Sequence, residues 1–225
     1  MKFDNSTSQM SSNYDSGIIK TIPYYNEIHN ETINFVKAYN SDPKKWLDAG
    51  CGTGSFAVKI CSEFQLNELV LSDPSDEMLL IAKNKILQNY VKFVNSDTGS
   101  LNLIENSFDV ITAIQSHHYL SKSERKIATA KCYKLLNNRG IFITFENTRP
   151  ISERSINITK NYWKLFQISQ GKSLEEADNH LNRFDKEYFP ITIDEHIKMY
   201  NDAGFTVVDF FWKSYMQAGF YCIKN

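Results

Sequence analysis

The run Trp46-Leu47-Asp48-Ala49-Gly50-Cys51-Gly52-Thr53-Gly54 sets a hydrophobic strand against a turn with glycine at every second position and a carboxylate just ahead of it. Glycines there let a ligand approach the backbone without meeting a side chain, and a helix starting beyond the turn offers unpaired N–H groups to an anion. A dinucleotide fingerprint would need glycine at position 55, where the chain carries Ser55, so a pyrophosphate ligand is disfavoured. Asp48 would also repel a pyrophosphate, whereas it would attract an ammonium group. The turn therefore suits a nucleoside with an amino-acid tail. A second apolar run, Leu69 to Ser72, ends in Asp73, whose carboxylate can accept from both hydroxyls of a ribose. A third, Val91 to Val94, leads to Asp97, either a further contact at the same sheet edge or a turn-forming residue.

A fourth run, Phe108 to Ile114, ends in Gln115-Ser116-His117-His118-Tyr119. An imidazole at such a strand end could take a proton from a hydroxyl, thiol or amine, and His118 and His117 are the candidate catalytic residues. The alternative is that one histidine points into the crevice and its neighbour is a hydrogen-bonded residue ahead of the next helix. Adjacent histidines diverge in extended chain and no carboxylate stands at ligand spacing, so no metal site is expected. Glu146, after a fifth run, either orients a substrate amine or is a solvated loop acid. Cys51, Cys61, Cys132 and Cys222 lack C-x-x-C spacing and read as reduced thiols.

The elements that must carry these residues alternate. Strand-length runs at Lys45 to Ala49, Leu69 to Ser72, Val91 to Val94, Phe108 to Ile114 and Gly140 to Phe145 are separated by helix-period segments, one opened by the capping box Ser121 and Glu124 and another following Ser75. After Pro150 two helical patterns follow each other without a strand, the second opened by Ser173 and Glu176. A helix from the Thr192 and Glu195 box to Ala203 then precedes two strands, Phe205 to Trp212 and Gln217 to Ile223, with Tyr215 to Gly219 turning a hairpin. The expected fold is α/β: a Rossmann-like, doubly wound, mostly parallel seven-stranded sheet with a C-terminal antiparallel hairpin and a helical lid insertion. Residues 1–16 are expected to be a flexible lead-in, and 17–225 a single domain with the lid at 151–190. Tyr162, Trp163, Phe166, Tyr188 and Phe189 would line or brace that lid, and Phe210 to Trp212 would be sheet core.

The chain resembles the class I S-adenosylmethionine-dependent methyltransferases through Asp48-Ala-Gly-Cys-Gly-Thr-Gly54, Leu71-Ser-Asp-Pro-Ser-Asp-Glu-Met-Leu79, Asn95-Ser-Asp97 and Phe108-Asp-Val-Ile. The resemblance implies that Asp73 binds the ribose, Met78 packs on the adenine and Asp97 accepts from the adenine amino group. The segment from Tyr14 through Pro23 to Tyr25 looks like the first helix of a subgroup that includes the carboxy-S-adenosylmethionine synthases. That likeness makes Tyr25 a cofactor contact, or else an aromatic packed under the helix. The glycine motif is the ordinary one, and the arginine holding the extra carboxylate in those synthases has Arg183 as its nearest counterpart. The expected cofactor-binding set is Tyr14, Tyr25, Asp48, Gly50, Cys51, Gly52, Gly54, Asp73, Pro74, Met78, Asp97, Thr98 and Gln115, with S-adenosyl-L-methionine as cofactor.

With 25 basic against 26 acidic side chains, the net charge of -1 argues against nucleic-acid binding. Lys122, Arg125, Lys126 and Lys131 on one helix read as a solvated face. No apolar run nears the roughly 18 residues that span a bilayer. The expectation is a cytoplasmic enzyme, monomer or homodimer, methylating a small molecule by in-line displacement. A carboxy-S-adenosylmethionine synthase, a tRNA-modification enzyme and a catalytically silent cofactor-binding domain are the alternatives.

Overall fold

The computed structural model describes residues 14–225. Residues 1–13 of the expected lead-in lie outside them, while Tyr14 to Ser16 already belong to the first helix, α1 (Tyr14–Thr21). The elements that follow are α2 (Tyr25–Tyr39), β1 (Lys45–Ala49), α3 (Ser55–Glu63), β2 (Glu68–Asp73), α4 (Asp76–Lys85), β3 (Val91–Asn95), β4 (Phe108–Ile114) and α5 (Lys122–Leu135). The second half holds β5 (Leu136–Asn147), α6 (Glu153–Ser169), α7 (Leu174–Leu181), α8 (Ile193–Asp202), β6 (Val207–Ser214) and β7 (Gln217–Ile223). One seven-stranded sheet runs in the order β3-β2-β1-β4-β5-β7-β6. It is parallel from β3 to β5, and β7 lies antiparallel between β5 and β6. Two apolar layers, one on each sheet face, bury the alternating sides of β1 and β4, so Trp46 and Val110 pack into one and Leu47 and Ile111 into the other.

The local signals place most helix starts. Ser121, Ser173 and Thr192 each accept from the backbone three residues on, and Glu124, Glu176 and Glu195 reach back to complete capping boxes. Ser75 caps α4.

Three expectations are corrected by tertiary pairing. β5 is longer than the Gly140 to Phe145 run: Glu146 and Asn147 pair with Ala218 and Gln217 of β7, so Glu146 is a strand residue. The hairpin turns more tightly than Tyr215 to Gly219. Ser214 already pairs with Gln217, and Tyr215 takes a left-handed φ of 47°. Gly219 sits instead in mid-strand, where a Cβ would come within 2.5 Å of the Phe145 ring. Finally, β6 is an edge strand, and Phe210 is exposed while Phe211 packs on Phe35 and Phe145.

The insertion is helical: α6 folds against α1, and α7 against α6. Trp163 of α6 is fully buried and its indole N–H donates to the carbonyl of Thr21 at 2.7 Å. Tyr162 stays exposed and stacks on Tyr215 with ring centres 4.0 Å apart. Among the described residues no helix is long and apolar enough to cross a membrane.

Candidate active site

Parallel strands deliver their carboxyl ends to one edge, and that is where the chemistry-bearing residues gather. At the end of β1 the three glycines have separate reasons. All take positive φ, at 77°, 53° and 76° for Gly50, Gly52 and Gly54. A Cβ on Gly50 would lie 2.4 Å from Cβ of Ser116, and one on Gly54 would lie 3.0 Å from Ala82 and Ile86. Only at Gly52 would a Cβ meet nothing within 4 Å. The expectation that all three keep space for a ligand is thus corrected: Gly50 and Gly54 serve close packing, and Gly52 borders open space.

Two acids flank this turn. Asp73 accepts from the N–H of Gly52 and of Ser75, each at 2.9 Å, which ties the β2 end to the glycine turn. Burial raises its carboxyl above the usual range, against those two bonds. Asp48 is buried and has one donor, the Thr112 hydroxyl at 2.7 Å. Burial pushes it up to about 7, opposed by the Thr112 bond and assisted by the negative charge of Asp73. Neither acid forms an ion pair among the described residues. Two desolvated acids without a cation favour a ligand that brings positive charge, which fits an ammonium and a sulfonium better than a diphosphate.

A residue the sequence did not single out fixes α1 over the turn. Asp15 accepts from Thr53 at 2.6 Å and Ser55 at 2.9 Å, and pairs with Lys85. Tyr14 and Tyr25 are both half-buried near these acids, and desolvation drives both phenols upward, with Asp73 and Asp15 among the charges acting on Tyr14, and Asp15 and Asp48 on Tyr25. Cys51 is a buried free thiol beside Asp48 and Asp73. The flanking candidates are looser: Pro74 is exposed, Met78 is buried on α4, and Asp97 is exposed and accepts from Ser100 N–H at 3.0 Å, the turn-forming geometry.

Beyond β4 the chain makes one turn of 3-10 helix, His117–Tyr119, which separates the two histidines. His117 Nε2 lies 3.1 Å from the hydroxyl of Thr98, and its ring is buried near Phe142. Burial lowers it to about 4. His118 instead lines a cavity of about 430 Å³. Glu146 arrives from β5 and grips this turn: Oε2 accepts from the N–H of His118 and from its Nδ1, both at 2.8 Å, and Oε1 from the N–H of His117 at 3.2 Å. The Thr144 hydroxyl lies 2.7 Å from Oε1. Glu146 is fully buried, so the solvated-loop reading is corrected. Burial alone would raise its carboxyl, but the bond and charge of His118, the nearby His117 and the Thr144 bond hold it down to about 2. With Nδ1 donating to Glu146, Nε2 is the His118 nitrogen left to accept a proton.

The cavity is lined by Tyr14 and Ile18 of α1, Gln115 and Tyr119 after β4, and the lid. Its size falls within the roughly 300 to 1,000 Å³ of small-molecule sites. Gln115 carries a left-handed φ of 54°, and both polar atoms of its amide are buried without a partner. That is a strained residue holding an orphaned amide on a cavity wall, the signature of a ligand contact. From the lid come Lys172, Arg183 and Tyr188, the last with its hydroxyl buried and unpartnered. Trp163, Tyr162 and Phe166 do not line it. The lid is fastened to the histidine turn by backbone: Phe189 N–H donates to the carbonyl of His118 at 2.7 Å.

Arg125 completes that fastening, and its place on a solvated face is corrected. It is 1% exposed. Nε donates to the carbonyl of His117 at 2.9 Å, and Nη2 lies within 3.3 Å of those of His118, Leu120 and Phe189. Glu146 and Arg125 were legible only as an acid after an apolar run and as one base among four on a helix. The described residues hold no group of three or more His, Cys, Asp or Glu able to bind a metal.

Residues 47–140 match the model of a family described as a methyltransferase domain. The chain is 26% identical over 211 residues to the carboxy-S-adenosyl-L-methionine synthase of Nautilia profundicola, covering 92% of this chain and 89% of that one. It is 27% identical over 170 residues to the demethylmenaquinone methyltransferase of Bacteroides fragilis, covering 72% of this chain and 64% of that one. A methyltransferase structure from Thermotoga maritima, described as a possible histamine N-methyltransferase, superposes with a TM-score of 0.62 at 17% identity over 95% of both chains.

Proposed function

We propose that this chain is a class I S-adenosylmethionine-dependent methyltransferase, as the methyltransferase-domain match over residues 47–140 and the similarity to the Nautilia and Bacteroides proteins support, and that it methylates a small molecule held in the 430 Å³ cavity, with His118 beside the acceptor atom. S-adenosylmethionine, when bound, supplies an activated methyl group on a sulfonium. In this reading Asp48 and Asp73 compensate its positive charge, Gly52 admits it to the backbone and Gln115 donates or accepts at the cavity wall. The observation that carries the acceptor assignment is His118 on the wall of the 430 Å³ cavity with its Nδ1 side held by Glu146.

An acceptor hydroxyl, amine or thiol would pass its proton to His118 Nε2 as its lone pair takes the methyl. Glu146 acts through His118 as a positioning residue, steadying the ring and any positive charge it gains. The lid excludes water and holds the acceptor in line, and positioning of this kind is worth up to roughly 7 to 11 kcal/mol of a barrier. The assignment to a reducing, cytoplasmic setting rests on four unpaired cysteines.

A second reading has specific support. Arg183 and Lys172 both line the cavity, so an acidic co-substrate, or a carboxylated cofactor such as the Nautilia relative's name describes, would find cations there. Mass spectrometry of the nucleoside after turnover with extracted cell metabolites separates the two. S-adenosylhomocysteine as product supports methyl transfer; a heavier carboxylated sulfonium assigns the second reading, and an unconsumed cofactor overturns both.

A further inference from the structure

Arg125 is buried to 1% exposure, yet no carboxylate pairs with it among the described residues. Its Nε and Nη2 are committed to the backbone of the histidine turn and of Phe189, and its Nη1 is buried with no partner. The charges of Glu146 and Glu195 act on it from a distance, but no acid bonds it directly, and a buried guanidinium N–H without a partner is costly and is rarely left so. The same side chain lines a second cavity of about 200 Å³, on the α5 and α8 surface, separate from the one that holds His118. Ile191 and Met199 give this cavity apolar wall, and Lys122, Lys126 and Lys198 ring it with positive charge.

Its two acids are already engaged. Glu195 holds the backbone N–H of Thr192 with Oε2 and sits 3.8 Å from Lys122 through Oε1, and both oxygens of Asp202 face Lys198. Lys126 pairs with no described acid, so Lys126 and the Nη1 of Arg125 are left without an anion.

We propose that this second cavity binds a carboxylate on a short apolar body, with Arg125 and Lys126 on the carboxylate and Met199 and Ile191 against the apolar part. Because the rest of the Arg125 guanidinium grips the carbonyls of His117, His118 and Phe189, an occupant of this cavity is coupled to the histidine turn and to the lid end. The site would then report the level of a small organic acid to the active site. It stands independently of which acceptor the first cavity takes.

The test titrates hexanoate, and separately inorganic phosphate, into the full-length protein saturated with S-adenosylhomocysteine. Arginine Nε–H and histidine ring resonances are followed by NMR. Saturable movement of the Arg125 signal by hexanoate, accompanied by the His118 ring signals, is expected. Lys126→Glu should weaken it by about tenfold or more, which is about 1.4 kcal/mol, while Lys134→Glu, on the same helix away from the cavity, should leave it unchanged. Unfolding midpoints of both variants are measured alongside, since both changes are at exposed positions. Failure of hexanoate to saturate, indifference to Lys126→Glu, still His118 signals, or phosphate binding as tightly as hexanoate would each overturn the proposal.

Discussion

Two carboxylates are buried at the same edge of one sheet, on β1 and β5 either side of β4, and their environments drive them in opposite directions. Asp48 has one hydrogen-bond donor and is pushed up to about 7; Glu146 receives two backbone N–H groups, an imidazole and a hydroxyl and is held down to about 2. Burial is common to both, so it cannot account for the difference. What differs is whether the protein supplies the donors itself. Glu146 is satisfied internally and is therefore architecture, locking the histidine turn; Asp48 is left short, and in the proposed function a ligand completes it. Pairs of titratable groups pushed apart in this way mark the division of labour in an active site.

The largest effect should come from breaking the satisfied acid. Glu146→Gln keeps the shape but aims an amide at backbone N–H groups, leaving buried donors facing each other. Loss of stability on the order of 3 kcal/mol is expected in chemical denaturation at neutral pH. The sign of the pH dependence follows from the lowered value. Glu146 contributes stability above the ordinary carboxyl range near 4.5 and loses it as pH falls through about 2, so the variant and the native protein should converge in strong acid. The pH profile of turnover should also change, because the imidazole it steadies is no longer held. A variant as stable as the native protein would place Glu146 outside the architecture.

Asp48→Asn asks the opposite question. Removing the charge should weaken S-adenosylmethionine binding by about 1.5 to 3 kcal/mol, the range for bonds to charged groups. Native affinity should rise as pH climbs through about 7, where the carboxyl ionises, and the variant's should not. The same raised value means that Asp48 adds stability below its ordinary pKa of 3.8 and that this is lost as pH rises through about 7. The variant without ligand should accordingly be more stable than the native protein at pH 8, by on the order of 1 kcal/mol or more. Calorimetry across pH, with thermal melts, checks both halves. Weaker binding without the stability gain would deny that Asp48 is held in waiting.

The two acids also differ in how far the sequence reveals them. Asp48 belongs to a contiguous strand and glycine turn, so its position follows from local chain geometry, as do Asp73 at the next strand end and the capping boxes of α5, α7 and α8. Glu146 is a strand residue only because β7 folds back onto β5, a pairing between distant segments that no local pattern encodes. Arg125 shares its helix and its spacing with solvated lysines, and only the approach of Phe189 and the histidine turn buries it. The two histidines are indistinguishable in the sequence, and the 3-10 turn assigns one to Thr98 and the other to the cavity.

Gly52→Ala sharpens the ligand side. The turn geometry admits the added methyl, with only the left-handed backbone penalty of about 1 to 2 kcal/mol per residue to bear. Cofactor affinity should fall further than that cost alone accounts for, since the methyl enters the space the ligand needs. Gly50→Ala carries the same penalty plus a clash with Ser116, and should lower the melting temperature more than Gly52→Ala does. Equal melting temperatures would undo the assignment of separate reasons to the glycines.

The smallest effect is expected at Thr98→Val, on the satisfied side. Valine fills nearly the same volume but removes the hydroxyl 3.1 Å from His117 Nε2, leaving a buried ring nitrogen without its partner. The loss should be about 1 kcal/mol of stability, the typical worth of one hydrogen bond. Turnover should barely change, because His117 is held away from the cavity and His118 keeps its bond to Glu146. If kcat instead fell steeply while the melting temperature stayed put, the roles of the two histidines would have to be exchanged. The division between a turn locked by Glu146 and a pocket completed by ligand would then run through His117.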